Sequence, residues 1–290
     1  MAADLRDIAL FDFISHKTMH LPFNEEYLRV LRAAFPNDRI VFHARASHVG
    51  NLKPRVADLA GIVFQACEPF APPFGLSSHN PLGGYLAAQA CRKTMVDAVR
   101  GRTLRLAALL GVDGSLYAAI GRHWPRVSSA PLHMILHGQL GDAMIWRSRN
   151  PLARAADLVA QIQRPLPPSV SLVALELGVK EAIAGLAPDN RSIITLEHPI
   201  LVSEWSDETP PGGDTLKIAF LGNARSSKGF EVFANLARSS ERKDLQFESI
   251  GIAAPDTDHI DVSMLARKPS RVSMSRQGYL DAVRAIDLVC

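Results

Sequence analysis

Two cations lie between two glycines in one short turn, and this pattern suits the binding of phosphate. Arg225 and Lys228 stand between Gly222 and Gly229. The apolar run KIAFL before the turn predicts a buried strand, and apolar residues at helical spacing after the turn predict a helix with one packed face. Backbone N–H groups at a helix start, together with arginine and lysine, bind phosphate oxygens. We therefore predict a nucleotide-diphosphate site that includes Asn223.

The turn differs from two common phosphate loops. A Walker A loop ends in Gly-Lys followed by Ser or Thr, whereas here Lys228 precedes Gly229 and Phe230. A dinucleotide loop has the pattern G-x-G-x-x-G, and Ala224 occupies the place of its second glycine. This difference argues against a Rossmann oxidoreductase. A surface turn with merely solvated cations is the alternative interpretation.

The residues GNARSSKGF, 222–230, resemble the opening of the C-terminal domain in GT-B glycosyltransferases of the family-four-like (glycosyl transferases group 1) type. In that family a strand ends in Gly-Arg or Gly-Asn, and Lys-Gly with an apolar residue opens the next helix. The resemblance implies that Arg225 and Lys228 bind the diphosphate of a nucleotide-sugar donor and act in catalysis. It also implies a metal-independent, hexosyltransferase-type reaction, with the nucleotide-diphosphate sugar as substrate and no cofactor.

Histidines in the first half supply further candidates. His137 closes the apolar run LHMILH, and the resemblance implies that it faces the cleft between two domains. A histidine there can donate to the donor sugar or its phosphates near neutral pH. The alternative for His137 is a buried histidine bonded to the backbone. His16 and His20, in the polar loop after the first predicted strand, are acceptor-side candidates, and a solvated loop is the alternative for them.

An acidic loop near residue 256 offers oxygen ligands. Asp256 and Asp258 stand at alternate positions, as in some divalent-cation sites. We interpret this segment as a solvated acidic loop and predict no metal site.

Strand and helix patterns alternate along the chain, which predicts an α/β fold with a mostly parallel sheet. The segment SEWSDETPPGGDT, rich in acids, Pro and Gly, predicts a linker. We expect two Rossmann-like domains of GT-B type. Residues 1–205 form the acceptor-side domain, 206–215 the hinge, and 216–290 a partial nucleotide-sugar-binding domain. The second domain is expected to be incomplete, because the chain ends before the acidic motif that holds the donor ribose and sugar in the resembling family.

The composition is that of a globular protein in a reducing compartment. Of 290 residues, 47% are hydrophobic and 21% charged, and the net charge of +3 is too small to indicate a nucleic-acid partner. Three cysteines show no metal-ligand or disulfide spacing. The N-terminus lacks a signal-peptide pattern, so the cytoplasm is the expected location. A peripheral contact with the inner face of the membrane stays open, because many such enzymes act on lipid-linked acceptors.

Two functions follow from these patterns. The first is transfer of a sugar from a nucleotide-diphosphate donor to the hydroxyl of a glycan or lipid-linked acceptor, in glycan or polysaccharide biosynthesis. The second is a catalytically inactive GT-B-like binding protein that lacks the complete donor site.

Overall fold

The computed structural model describes residues 6–15, 17, 19–68, 81–137, 157–186, 193–196, 213–272 and 274–290. Its contacts divide the chain into two compact units, Met1–Ile200 and Leu201–Cys290. Most of the predicted hinge, 206–215, lies outside the described residues, so the hinge stays a prediction.

The first unit alternates strands and helices. Its strands are β1 (Asp7–Asp12), β2 (Arg39–Ala44), β3 (Ile62–Ala66), β4 (Leu104–Leu109), β5 (Leu132–Leu136), β6 (Val170–Ala174) and β7 (Ile193–Thr195). Its helices are α1 (Leu21–Ala34), α2 (Ala46–Leu52), α3 (Pro81–Val99), α4 (Leu158–Ile162) and α5 (Leu177–Leu186). A π-helical segment, Tyr117–Gly121, follows the helical turn Gly114–Leu116.

These strands form one parallel sheet in the order β3-β2-β1-β4-β5-β6-β7. The chain winds outward from β1 to β3 and then returns to the other side of β1 with β4. This change of direction makes a topological switch point between β1 and β4, where open α/β sheets bind ligands at the carboxyl ends of their strands.

Both faces of the sheet are covered, which explains the continuous apolar runs of its central strands. On β1, Ala9 and Phe11 belong to one buried cluster, and Ile8 and Leu10 belong to another. The first cluster includes residues of α3, the π-helical segment and α4, and the second includes residues of α1 and α2.

The second unit repeats this plan on a smaller scale. It contains β8 (Leu216–Leu221), α6 (Phe230–Ser239), β9 (Leu245–Ile250), α7 (Arg276–Arg284) and β10 (Leu288–Val289). The three strands are parallel in the order β10-β8-β9, so β8 is central and its carboxyl end is again a switch point. On one face, Phe220, Phe230, Phe233 and Phe247 pack with neighbouring ring centroids 5.1 to 6.4 Å apart.

The predicted α/β class with a mostly parallel sheet is confirmed. Two helices, α2 and α5, were not predicted. The first has only seven residues, and the segment LGVKEAIAGL of the second contains two glycines and few polar residues. Among the described residues, no helix combines the length and apolarity that a membrane crossing requires.

Candidate functional site

Two predicted histidines meet at the carboxyl edge of the first unit. The rings of His20 and His137 stack with centroids 4.3 Å apart and planes 10° apart. Phe23 packs edge-on against His137 at 4.4 Å, and Ser15 Oγ lies 3.2 Å from His20 Nδ1. His20 precedes α1 and His137 follows β5, so the pair lies beside the switch point. The third candidate, His16, lies outside the described residues.

A buried polar network holds the loop between β1 and α1. Asp12 is fully buried, and its Oδ1 accepts hydrogen bonds from the backbone N–H groups of Ile14 and Ser15, at 3.2 and 2.8 Å. Asn24 Nδ2 donates to Asp12 Oδ2 at 2.6 Å and also lies 2.8 Å from His48 Nε2. The three side chains therefore tie the end of β1 to α1 and α2.

This network also stabilises two left-handed backbone conformations, which are strained in residues other than glycine. Lys17 and His20 have φ angles of 50° and 53°, and such left-handed conformations cost about 1–2 kcal/mol each outside glycine. His48 Nδ1 lies 3.0 Å from the carbonyl oxygen of Lys17 and can donate to it. Asp12 holds Ser15, whose hydroxyl contacts the His20 ring. The loop is thus positioned by buried hydrogen bonds.

Sequence reasoning missed Asp12, Asn24 and His48. An acid that ends the apolar run IALFD was a usable signal, because a buried carboxylate requires several donors. Asn24 and His48 gave no comparable signal, since their roles depend on which helices the fold brings to β1.

A second acid stands at the same switch point, directly after β4. Asp113 Oδ1 accepts a hydrogen bond from the backbone N–H of Leu116 at 2.8 Å and caps the helical turn there. Burial raises the pKa of Asp113, and backbone hydrogen bonds from Leu116 and Ser115 partly oppose the rise. Perturbed carboxyl groups at ligand-binding edges are candidates for proton transfer. His133, deeper in β5, has a pKa lowered by burial, so it remains neutral near pH 7.

In the second unit, the predicted phosphate turn lies at the carboxyl end of β8. Gly222 and Gly229 adopt φ angles of 89° and 77°, which glycine reaches without strain. Asn223, Arg225 and Lys228 are exposed. Within the described part of the chain, neither cationic side chain forms an ion pair. Both charges are therefore available to an incoming anion.

Backbone and buried side-chain contacts fix this turn. Ala224 exchanges hydrogen bonds with the neighbouring loop, since its N–H donates to Ile252 at 2.8 Å and its carbonyl accepts from Ala254 at 3.1 Å. The buried Thr257 hydroxyl donates to the same carbonyl at 3.2 Å. A Cβ at Gly251 would lie 1.8 Å from the Gly222 carbonyl oxygen, so only glycine fits there.

The acidic loop takes part in this arrangement. Asp256 and Asp258 are exposed, and Asp256 Oδ2 also accepts a hydrogen bond from the backbone N–H of Ser226 at 3.1 Å. The carboxylate thus accepts the hydrogen bond of the first N–H group in the 3-10 turn Ser226–Lys228. A bound anion would therefore meet mainly the two cationic side chains. Among the described residues, no group of three His, Cys, Asp or Glu side chains could hold a metal ion.

Each unit thus offers a different chemistry. The first presents a pair of imidazoles, which can donate or accept protons near neutral pH. The second presents a guanidinium and an ammonium group on a fixed turn, which can neutralise an anion.

Comparisons with known proteins identify the fold. No protein-family model and no curated protein matches the sequence. Among solved structures, Arabidopsis thaliana UGT89C1 complexed with UDP-L-rhamnose is similar, with a TM-score of 0.53 and 11% identity over 98% of this chain and 90% of that one. Apo OtsA matches with a TM-score of 0.57 and 10% identity over 98% of this chain and 77% of that one.

A third match is the N-terminal domain of Candida albicans trehalose-6-phosphate phosphatase. It has a TM-score of 0.54 and 10% identity, over 98% of this chain and 76% of that one. Similarity at such low identity reports on the fold, and proteins with different names share this one. The chain therefore has the mixed α/β fold of GT-B glycosyltransferases, as the sequence resemblance predicted.

Proposed function

We propose that this protein binds a nucleotide-diphosphate sugar and transfers the sugar to an acceptor hydroxyl. One observation carries the proposal: Arg225 and Lys228 are exposed and unpaired among the described residues, on a turn fixed at the switch point of the second unit. A pre-formed pair of cations at such an edge suits a diphosphate.

The same cations would lower the barrier to sugar transfer. Negative charge grows on the diphosphate as the bond to the sugar breaks, and fixed positive groups stabilise that charge more than they stabilise the ground state. Because the turn is held by backbone hydrogen bonds, little reorganisation accompanies this step.

His20 and His137 supply the acid–base chemistry in this proposal. Sugar transfer requires removal of a proton from the acceptor hydroxyl, and a histidine beside the acceptor can take it. The two rings lie at one place, with centroids 4.3 Å apart. A neutral imidazole is the form that accepts a proton.

The finer features of the proposal follow from the family resemblance. The reaction uses no metal and no cofactor, and the acceptor is a glycan or a lipid-linked saccharide of a biosynthetic pathway. Reaction in the cytoplasm, with peripheral contact at the inner face of the membrane, fits a lipid-linked acceptor. UGT89C1, one of the structural neighbours, has been crystallised with UDP-L-rhamnose, which supports UDP as the first nucleotide to test.

The double variant Arg225→Ala/Lys228→Ala tests the donor site. We expect it to bind UDP or GDP about tenfold more weakly, or worse, because each charge-assisted hydrogen bond contributes about 1.5–3 kcal/mol. Isothermal titration calorimetry on the full chain measures the affinity.

The double variant Arg242→Ala/Lys243→Ala is the matched control. It removes the same two charge types from an exposed loop before β9, at the opposite edge of the sheet from the turn. Its affinity should equal that of the unaltered protein. Equal nucleotide affinity in all three proteins would remove the basis of the proposal.

The variant His137→Ala separates catalysis from binding. We expect it to retain nucleotide affinity and to lose about 10²-fold or more in turnover, the usual contribution of a positioned acid or base. The rate of UDP release during donor hydrolysis or sugar transfer measures this loss. An unaltered chain that binds the donor and turns over none would instead identify the inactive binding protein.

A further inference from the structure

A group of positive side chains lies on the crossover segments of the first unit. The basic cluster comprises Arg92 on α3, Arg122, His123 and Arg126 after the π-helical segment, and Arg164 after α4. Crossover segments between parallel strands return the chain to the amino edge of the sheet. The members that precede β5 and β6 therefore lie toward the edge opposite the His20–His137 pair, whereas Arg92 lies in the middle of α3.

Specific contacts bring these elements together. Arg122 donates to Gln161 Oε1 of α4 at 2.9 Å. The Tyr117 hydroxyl lies 3.5 Å from the carbonyl oxygen of Arg164. In a tight turn after the π-helical segment, the N–H of Arg126 donates to the carbonyl oxygen of His123 at 3.0 Å.

Among the residues that the structure describes, the arginines of the cluster have no carboxylate partner. Within the described ranges, Arg92, Arg122, Arg126 and Arg164 form no ion pair, and the Nε atoms of Arg92 and Arg122 are buried without an acceptor. In contrast, Arg29, Arg39 and Arg55 of the same unit all pair with carboxylates.

Burial and mutual repulsion both act on the pKa values of the cluster. The pKa of His123 is lowered by burial and by the charges of Arg92, Arg126 and Arg122. The pKa of Arg122 is lowered by burial and then by Arg164. An anion bound among these groups would reduce their repulsion and accept hydrogen bonds from the buried N–H donors. Planar guanidinium groups match phosphate in particular.

We infer that the basic cluster is a binding site for phosphate groups, separate from the proposed donor site. The phosphate belongs either to a soluble phosphate compound or to the headgroup of an anionic lipid. The inference is independent of sugar transfer, because none of these residues takes part in the proposed reaction.

Titration with inorganic pyrophosphate tests the site, followed through the arginine Nε–H resonances in NMR spectra. The titration uses the Arg225→Ala/Lys228→Ala background, so that binding at the phosphate turn does not contribute. We expect saturable shifts of the Arg92 and Arg122 signals. The double variant Arg122→Gln/Arg126→Gln should weaken pyrophosphate binding about tenfold or more. The variant Arg122→Lys, which keeps Arg126 and a positive charge at position 122, should bind more tightly than this double variant.

Co-sedimentation with phosphatidylcholine vesicles, with and without phosphatidylglycerol, distinguishes the two sources of phosphate. Binding that requires phosphatidylglycerol and the two arginines identifies a lipid headgroup, whereas binding of pyrophosphate alone identifies a soluble compound. The control Arg242→Gln/Arg284→Gln removes two exposed, acid-paired arginines of the second unit and should change neither result. Binding of neither probe, or equal weakening by the control, would overturn the inference.

Arg126 is exposed and forms no ion pair within the described ranges, so Arg126→Gln alone tests the site should Arg122→Gln impair folding.

Discussion

The loop after β1 and the turn after β8 occupy equivalent places in their two sheets, yet they are built in opposite ways. In the first unit, polar side chains are buried and satisfy one another, as Asp12, Asn24 and His48 do. In the second unit, mainly backbone hydrogen bonds hold the turn, with help from the Thr257 hydroxyl, and Arg225 and Lys228 are exposed. The same topology can therefore support either a loop held by buried hydrogen bonds or a turn whose exposed cations can bind an anion.

The difference matters for function because each design suits one task. Buried hydrogen bonds hold aromatic and imidazole rings in one geometry, which proton transfer requires. Exposed cations on a fixed turn bind a ligand at little structural cost, since they carry no packing role. We therefore expect substitutions of the buried polar side chains in the first region to lower stability, and those of the turn cations to weaken ligand binding and turnover without lowering stability.

The largest effect is expected from Asp12→Ala. It leaves the N–H groups of Ile14 and Ser15 and the amide of Asn24 without their buried acceptor, and it should lower the free energy of unfolding by about 4 kcal/mol. Hydrogen exchange measured by mass spectrometry should show faster exchange in the first unit and little change in the second. The exposed Asp58→Ala, which breaks only the ion pair with Arg29, serves as the control and should cost under about 1 kcal/mol.

A smaller effect is expected from Gly251→Ala in the second unit. The added Cβ would meet the Gly222 carbonyl oxygen at 1.8 Å, so the backbone of the phosphate turn must move. We expect a loss of about 3 kcal/mol in stability and weaker UDP binding, measured by denaturant unfolding and calorimetry. Gly50→Ala has open space around it and should be neutral or slightly stabilising. Undiminished UDP affinity in Gly251→Ala would show that the turn geometry is unimportant for the ligand.

The smallest effect concerns His43, which stacks on Phe11 at 4.7 Å inside the first unit. Burial, aided by the positive charge of Arg102, lowers its pKa from 6.5 to about 4. Between these values the unfolded chain takes up a proton that the folded chain does not, so stability falls as the pH drops from 6.5 to 4. We expect a loss of about 2 kcal/mol over this range.

The variant His43→Phe removes the titrating group and keeps a planar ring. Thermal unfolding measured as a function of pH should then show a flatter dependence. An unchanged dependence would assign the effect to other groups and weaken the contrast between a buried polar region and an exposed charged turn.

Local patterns predicted much of the fold and half of the candidate site. Apolar runs and helical spacing located most strands and helices, because burial imposes those periods on neighbouring residues. The cations of the phosphate turn were also local, since Arg225 and Lys228 are three residues apart. The helix α5 and the role of Asp256 were missed, because the first lacks a polar face and the second depends on a hydrogen bond to Ser226 across 30 residues.

The sequence by itself determined which residue types end each strand and where the chain turns. Only the tertiary structure decided which strand ends are neighbours. His20 and His137 meet because β4 and β5 lie on the other side of β1 from β2. Asp12 could be buried only because α1 and α2 bring Asn24 and His48 to it. Propensity and turn chemistry act over a few residues, whereas strand order depends on packing between distant segments.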